Sequence, residues 1–302
     1  MKKVTKSAIA IAALVLFSME SCKKKNKDIV LPDINGYSSS DAVAPTSLVA
    51  YWPLDGSGNE KKTNIAPTSS VNASYITTGV KGQGLSLNSG YLYYASALGA
   101  LTTNQGFTLS AWIQVANNGL AGGNPPANNF PYSYFQSTIA GQLFGNLTAM
   151  IEAGQYKTTS DTLIVKAIYK DFNGGTQDNL NNYGMPGTEI NVVKKAGTSQ
   201  WVHVVTTYNP AGGTGAQSIF RIYADSALVS NINFENRGVN SFKYTAGEVI
   251  IGGWYNNIPG KTVSADTWTQ PFKGSIDEIR LYNKLLTRDE ITALYKLGKA
   301  GR

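Results

Sequence analysis

The sequence predicts an all-β protein, a β-sandwich with one short helix at its C-terminal end. Three observations support this prediction: the composition, the period-two alternation of most segments, and a single segment with helical spacing. Charged residues make up only 15% of the 302 residues, whereas Gly (31) and Tyr (17) are abundant. Soluble domains typically contain roughly 25% charged residues. A hydrophobic fraction of 42% is enough for a sizeable core. This composition argues against coiled coils, helical repeat arrays and disordered acidic proteins.

The first 22 residues have the pattern of a secretory signal. Three lysines in the first six residues precede an apolar run over residues 8–17. A run of about ten residues is too short to span a membrane, which takes about 20. Residues 19–22, Met-Glu-Ser-Cys, resemble a bacterial lipobox, in which Cys22 becomes the lipidated first residue. Glu20 departs from the small or apolar residue usual there. The alternative is an ordinary signal peptide with an incidental cysteine.

Residues 23–44 predict a flexible tether between this anchor and a domain spanning 45–302. The segment is polar, rich in turn residues and without periodicity. As a random coil it would span roughly 25 Å. Its lysines allow two interpretations: a solvated linker, or contact with anionic lipid headgroups at about 1 kcal/mol each.

Charge and cysteine content exclude several classes of function. The formal net charge is +7, but the basic residues are scattered beyond the first 44 positions. Nucleic-acid binding needs a concentrated positive footprint, so no nucleic-acid partner is expected. The single cysteine excludes an intrachain disulfide framework and a zinc site with several cysteines.

The segment 107–115 shows the strand pattern best. Its odd-numbered positions, from Phe107 to Val115, are apolar and share one face, while Thr108, Ser110 and Gln114 lie on the other. Comparable short runs separated by turn signals predict further strands at 199–210, 218–230, 248–254 and 274–283. Several strands are apolar on both faces, as expected for layers buried in a sandwich.

One segment, 286–298, has helical spacing. Thr287 followed three residues later by Glu290 is a capping box, which satisfies two backbone amides at a helix start. Ile291 and Leu294 fall on one helical face, and Gly298 is the predicted stop.

Three long stretches, 117–136, 171–191 and 254–272, interrupt the strands and are rich in Asn, Gly and aromatic residues. Loops of this length in a compact domain are usually functional or disordered. Tyr and Trp on such loops can stack on sugar rings, or can simply pin the loops to the sandwich. The candidate ligand-binding residues are Tyr132, Tyr134, Trp254 and Trp268. Trp112 and Trp201 lie within strand patterns and are expected to be packed.

Taken in order, seven segments resemble bacterial laminin-G-like domains of the concanavalin A-like lectin/glucanase superfamily. They are 48–60, 79–94, 107–115, 200–209, 220–229, 248–254 and 272–295. The resemblance implies a two-sheet antiparallel jelly roll and does not fix a ligand. The chain departs from the family pattern where Asp225-Ser226 replaces a common Asp-Gly turn and where the loop 117–136 is longer than usual.

Glycosidases of this superfamily need two carboxylates about 5 to 5.5 Å apart for retention of configuration. The sequence contains no E-x-D-x-E run that would place two of them on one strand face. The closest pairs are Asp277-Glu278, which should face opposite ways, and Asp289-Glu290, which starts a helix. The only histidine, His203, is interpreted as a structural strand residue. No catalytic residue is therefore assigned.

Asp277 also lies where related jelly rolls place a ligand of a structural calcium ion. Asp55 and the carbonyls around Gly82 and Gly84 would complete the oxygen ligands that calcium requires. The alternative is that Asp277 caps a turn or forms an ion pair.

The leading hypothesis is a non-catalytic recognition module, anchored to the membrane by lipid in the cell envelope, that binds carbohydrate on a glycan or glycoprotein. The second hypothesis is a protein-adhesion or structural component of the envelope. The third is a cryptic glycosidase.

Overall fold

The structure is a computed structural model that describes residues 31–96, 101–119, 130–194, 200–213 and 215–302. The chain divides into Met1–Pro32, of which Leu31 and Pro32 are described, and a compact unit, Asp33–Arg302. The predicted signal segment and Cys22 lie outside the described residues. Within the described ranges, no helix combines the length and the apolar character needed to cross a membrane.

Strands dominate the compact unit, as predicted. The strands found in the described residues are β1 Leu48–Trp52, β2 Ser69–Ile76, β3 Gly84–Tyr94, β4 Phe107–Val115, β5 Tyr132–Ser137, β6 Leu147–Ile151, β7 Thr162–Leu163, β8 Val165–Lys170, β9 Thr176–Leu180, β10 Val193–Lys194, β11 Val202–Asn209, β12 Ser218–Ala224, β13 Ala227–Leu228, β14 Asn236–Gly238, β15 Val249–Ile251 and β16 Phe272–Tyr282. One α-helix, α1, spans Arg288–Lys299, and short 3₁₀ helices lie at Ser40–Ala42, Ala153–Gln155, Ile232–Phe234 and Tyr255–Asn257.

Hydrogen-bonded neighbours follow the order β13, β12, β11, β4, β16, β3, β15, β5, β6, β8, β9. β1 also pairs with β16, β14 with β12 and β2 with β3, while β7 and β10 form a separate pair. These pairs are antiparallel. β3 pairs with β16 along its first part and with β15 at its end. It therefore joins a first layer, β13 to β16, to a second layer, β15 to β9.

The core lies between these two layers. Tyr169 on β8 makes edge-to-face contacts with Tyr208 on β11 and Phe220 on β12, at centroid distances of 5.1 and 4.9 Å. Trp52 on β1 meets Phe135 on β5 at 5.7 Å. Such pairs add about 0.5 to 1.5 kcal/mol each beyond area burial. The contacts join strands from opposite layers, so the predicted β-sandwich is confirmed.

Helix α1 packs on the outer face of the first layer. Leu294 and Leu297 share a buried cluster with Val205, Tyr223 and Tyr282 of the strands beneath. This cover explains why strands of the first layer are apolar on both faces: one face meets the core and the other meets the helix.

The predicted capping box is present and the predicted helix end is wrong. Glu290 N donates to Thr287 Oγ1 at 3.2 Å, and Thr287 N donates to Glu290 Oε2 at 2.8 Å. Gly298 lies inside the helix, where an added Cβ would come within 2.6 Å of the Trp112 ring. The missing side chain of Gly298 thus lets the helix pack closely on Trp112. The glycine that follows the helix end is Gly301, with φ of +67°.

The predicted tether 23–44 is wrong from Asp33 onward, because residues 33–44 fold onto the domain. We call this stretch the N-terminal strap. Asp41 accepts a hydrogen bond from Arg280 Nη2 at 2.7 Å and pairs with Lys81 at 3.1 Å. Val43 is buried against the helix cluster. The folded unit therefore begins at Asp33 and not at residue 45.

Two of the three long stretches expected to be loops contain strands. β5 occupies the end of 117–136, and β9 lies within 171–191. The third stretch, 254–272, is a loop containing the 3₁₀ helix Tyr255–Asn257. β5 and β9 were not predicted because Asn and Gly are uncommon in strands. Their position is set by pairing with neighbouring strands in the sheet.

Candidate functional site

Tyr132 and Tyr134 lie on β5, in the hydrophobic core, and not on an exposed loop. Tyr134 is 1% exposed, and Tyr132 packs against Phe272 at 5.5 Å. Pairing of β5 with β6 and β15 turns these rings inward. In this structure they have no face available for a sugar.

Trp254 is also fully buried, whereas Trp268 is half-buried. Their rings meet edge to face at 5.4 Å, and each packs on Phe144 at 6.2 Å. This aromatic group covers Met150 and Ile168 on the outer face of the second layer. The two tryptophans thus hold a loop against the sheet, which was the alternative interpretation of the loop aromatics.

The two predicted calcium ligands bind one backbone loop. Asp277 Oδ2 accepts hydrogen bonds from Val80 N at 2.7 Å and Lys81 N at 3.2 Å. Asp55 Oδ1 accepts from Gln83 N at 2.7 Å. Calcium needs oxygen ligands, and here the carboxylates face amide hydrogens instead. Within the described ranges, no three His, Cys, Asp or Glu side chains come together as a metal-binding group. The geometry fits turn capping and does not fit a calcium site.

Asp277 and Glu278 are both buried and turn to different partners. Glu278 has φ of +52° at an irregularity in the pairing with β4, and it accepts a hydrogen bond from Tyr51 Oη at 2.6 Å. It also pairs with Arg280. Burial and then the Glu278 carboxylate raise the pKa of Asp277 to about 8, while three backbone N–H groups lower it. Neither carboxyl reaches solvent, so neither can meet a substrate in this structure.

A second carboxylate pair comes together from distant strands. Glu152, beside β6, and Asp178, on β9, each lie 3.3 Å from the ammonium of Lys166 on β8. A glycosidase pair relies on one protonated carboxyl. The shared ammonium instead neutralises the mutual repulsion of these two carboxylates. The arrangement is an ion-pair network and lacks the features of an acid/base pair.

His203 is a buried strand residue, as the sequence predicts. It is 0% exposed on β11, and its Nε2 lies 2.8 Å from Ser110 Oγ. Its ring contacts that of Trp112 at 4.8 Å. Burial, and then the charge of Arg280, lower the pKa of His203 to about 3. The imidazole is therefore neutral at physiological pH.

The Trp201 pocket is an open cavity of about 310 Å³ at the C-terminal end of α1. It combines segments that are far apart in the chain: the loop before β3, β4, the start of β11 and the last helical turn. Its lining residues are Gly79, Val80, Trp112, Gln200, Trp201, Gly298 and Lys299. The volume lies at the lower end of the range of about 300 to 1,000 Å³ for small-molecule sites.

Trp201 is the half-buried aromatic side chain of this pocket. Its Nε1 donates to Thr78 O at 3.2 Å. Gly84 lies against its ring, since a Cβ there would be 3.4 Å from ring atom Cη2. The hydrogen bond and this close approach fix the indole before any ligand arrives. Trp112, which also lines the pocket, is 2% exposed beneath the helix.

The prediction that both tryptophans are packed is confirmed for Trp112, whereas Trp201 packs on Gly84 but remains half-buried. Trp201 shares the outer face with His203, but it lies one residue before β11 begins. Helix α1 covers the middle of β11, and the pocket lies where the helix ends. The position of Trp201 at the edge of its strand pattern was the one signal in the sequence that could have indicated exposure.

The comparisons with known proteins agree with this fold. The family model described as concanavalin A-like lectin/glucanases superfamily matches residues 88–292. No curated protein matches the sequence. Among solved structures, the binding domain of Paraclostridial Mosquitocidal Protein 1 is 13% identical with a TM-score of 0.54, covering 83% of this chain and 52% of that one. The binding domain of botulinum neurotoxin serotype D/C is also 13% identical, with a TM-score of 0.51 and the same coverage.

The chain therefore spans about half the length of these toxin domains, and at such identities the likeness concerns the fold alone. Domain 4 of a GH43 extracellular arabinanase from Geobacillus stearothermophilus, in complex with arabinotriose, is 17% identical with a TM-score of 0.49, covering 82% of this chain and 98% of that one. The family match extends over well more than half of the sequence, and the two antiparallel layers agree with it. This chain belongs to the concanavalin A-like lectin/glucanase superfamily.

Proposed function

We propose that this protein is a non-catalytic recognition module that binds carbohydrate in the Trp201 pocket. The observation that carries the proposal is the indole of Trp201, half-buried, fixed by its hydrogen bond to Thr78 O, and lining a cavity of about 310 Å³. A binding site of this kind needs a rigid apolar surface together with a few polar groups.

The pocket supplies both kinds of contact that a sugar requires. The apolar face of a pyranose ring can stack on Trp201, and buried apolar area contributes about 25 cal/mol per Å². Gln200 and Lys299, which carry an amide and an ammonium, are among the lining residues and would offer hydrogen bonds to sugar hydroxyl groups. Because the indole is already fixed, little side-chain entropy is lost on binding.

The superfamily fold is compatible with this role. The toxin domains that share it are named as binding domains, which describes those proteins and not this one. The non-catalytic part of the proposal draws on the two carboxylate pairs described above. Asp277 and Glu278 are buried, and Glu152 and Asp178 share the ammonium of Lys166.

A second candidate function, protein adhesion, is favoured by an exposed apolar patch. Tyr183, Met185, Val192 and Ile232 are 53%, 61%, 56% and 72% exposed. Asn233 Nδ2 donates to Tyr183 Oη at 3.1 Å, which joins the loop after β9 to the 3₁₀ helix at Ile232–Phe234. Large exposed apolar patches often mark protein interfaces.

The proposal includes anchoring in the cell envelope. The lipobox-like sequence ending at Cys22 would attach the chain to the membrane. Residues 23–32 would then link the lipid to the compact unit that begins at Asp33. The N-terminal strap begins at Asp33, so this linker is shorter than the predicted tether 23–44.

A glycan array with the full-length chain and Trp201→Ala tests the proposal. We expect the wild type to bind a subset of oligosaccharides and Trp201→Ala to lose that binding. Trp201→Phe, which keeps a ring, should retain part of it. The matched control is Tyr183→Ala, which removes an exposed aromatic ring from the apolar patch.

Thermal unfolding followed by circular dichroism shows whether each variant is folded. Loss of glycan binding in Trp201→Ala but not in Tyr183→Ala supports the pocket. If the wild type binds no glycan, or if folded Trp201→Ala binds as the wild type does, the pocket is not a carbohydrate site. Binding of an envelope protein that is lost in Tyr183→Ala would instead support adhesion.

A further inference from the structure

Lys299 is the one residue with a charged side chain among the described residues that line the Trp201 pocket. It is the last residue of α1 and is exposed. No ion pair joins its ammonium to another residue in the described part of the chain. The other lining side chains are apolar or neutral.

The neighbouring lysines are engaged elsewhere. Lys81, next to the lining residue Val80, pairs with Asp41 of the N-terminal strap at 3.1 Å. Lys296, one helical turn before Lys299, donates to Asn35 Oδ1 at 3.2 Å. Both ammonium groups are thus directed to the strap, which leaves Lys299 as the cation that lines the cavity.

The carboxyl of Asp277, behind the pocket wall, does not cancel this charge. Asp277 lies behind the backbone of residues 79–81, and its Oδ2 would be 2.9 Å from a Cβ on Gly79. Its two oxygens accept hydrogen bonds from three backbone N–H groups, those of residues 80, 81 and 278. Burial and the Glu278 carboxylate outweigh these amides and raise the pKa of Asp277 to about 8, so the carboxyl, which is 0% exposed, is mostly uncharged near pH 7.

We infer that the saccharide bound in the Trp201 pocket is acidic, with its ring on the indole and its carboxylate on the Lys299 ammonium. This inference rests on the proposed function and adds the chemical class of the ligand. A charge-assisted hydrogen bond to a carboxylate is roughly twice as strong as a neutral one. A neutral sugar would offer this ammonium only an uncharged acceptor.

The experiment compares uronic-acid oligosaccharides with their methyl esters, which have the same rings and linkages without the charge. Binding to the full-length chain is measured by array and then by calorimetry. We expect the wild type to prefer uronates about fivefold or more, the ratio that about 1 kcal/mol provides. High salt should weaken this preference, because raising the salt concentration from 0.1 M to 1 M shortens the Debye length from about 10 Å to about 3 Å and screens the ion pair.

Three variants assign the preference to one residue. Lys299→Gln should bind uronates and esters equally, and Lys299→Arg should keep the preference. Lys296→Gln is the matched control, since it removes a lysine from the same helix turn outside the pocket lining.

Equal binding of uronates and esters by the wild type, or an unchanged preference in Lys299→Gln, overturns the inference while leaving the proposed function in place. Failure of the wild type to bind any saccharide, charged or neutral, contradicts the proposed function itself.

Discussion

His203 illustrates how the position of one residue determines its chemistry. It lies on the outer face of the first layer, where α1 and the ring of Tyr295 cover it, with the two ring centroids 6.2 Å apart. Its Nδ1 has no hydrogen-bond partner among the described residues. A buried imidazole near Arg280 is held in its neutral form. Protonation must therefore accompany local or global unfolding.

The first prediction concerns the pH dependence of stability. The pKa of His203 is about 3 in the folded protein and about 6.5 when unfolded. The unfolded chain thus binds more protons than the folded chain between these pH values. The contribution of His203 to the free energy of unfolding is therefore complete above pH 6.5 and is lost as pH falls. Between about pH 6.5 and 4, the free energy of unfolding of the wild type should fall more steeply than that of His203→Gln. Chemical denaturation over this range measures both, and parallel curves would contradict the prediction.

The carboxylates of Asp55 and Asp277 give the second prediction. Both carboxyl groups accept hydrogen bonds from backbone N–H groups, and we expect no calcium there. Removing metal with EDTA should therefore leave the melting temperature unchanged. An occupied calcium site at a hundredfold excess over Kd would add about 2.7 kcal/mol, or about 5 °C for a domain of this size. A rise of that size with calcium, absent with magnesium, would restore the calcium hypothesis.

At the scale of elements, the hairpin between β12 and β13 contains backbone strain. Asp225 and Ser226 form its two-residue turn and have φ of +47° and +67°. Both positive angles are required by a type I′ turn, which favours glycine at the second position. Asp225 accepts a hydrogen bond from His203 N at 3.0 Å, which explains an aspartate at the first position. No contact among the described residues explains the serine.

The third prediction follows from that turn. Ser226→Gly should raise the free energy of unfolding by about 0.5 to 1 kcal/mol, because the left-handed conformation costs an L-residue about 1 to 2 kcal/mol and glycine loses part of this gain through chain entropy. Ser226→Ala keeps the strain and serves as the control. Equal stability of the glycine and alanine variants in urea would show that the turn is not strained.

At the scale of the whole molecule, the two ends of the folded unit are joined. Ser40 N donates to Arg302 O at 3.2 Å, and Arg302 Nη2 donates to Ser38 O at 2.7 Å. Burial alone would raise the pKa of Asp41, but Arg280 and Lys81 lower it to about 2. The N-terminal strap therefore remains ion-paired over the physiological pH range and adjoins the helix end that forms part of the Trp201 pocket.

The fourth prediction concerns the proposed anchor. Cys22→Ala removes the sulfur that would carry the lipid, so the protein should move from the membrane fraction to the soluble fraction. Ser21→Ala, which keeps the cysteine, should remain with the membrane. Fractionation followed by immunoblotting measures both, and unchanged membrane association of Cys22→Ala would rule out the lipoprotein interpretation.

The sequence by itself determined several strands, β4 among them, and the helix start. Alternation over 107–115 and the Thr287–Glu290 capping box depend on neighbours a few residues apart, and the structure contains both. The ordered family segments likewise predicted a jelly roll, and the family match confirms it. Local spacing is sufficient for these features because a strand repeats every two residues and a helix every 3.6.

Only the tertiary structure decided which aromatic rings are accessible. Period two places Trp112 and Trp201 on surfaces of strands but does not say what covers them. Helix α1 buries Trp112 but ends before it covers Trp201, which lines the pocket. Gly79 and Lys299, which lie far apart in the chain, line the same pocket. Burial depends on contacts between segments up to 220 residues apart, from Gly79 to Lys299. Such contacts leave no periodic signal in the sequence, so the candidate site could be located only after the chain was folded.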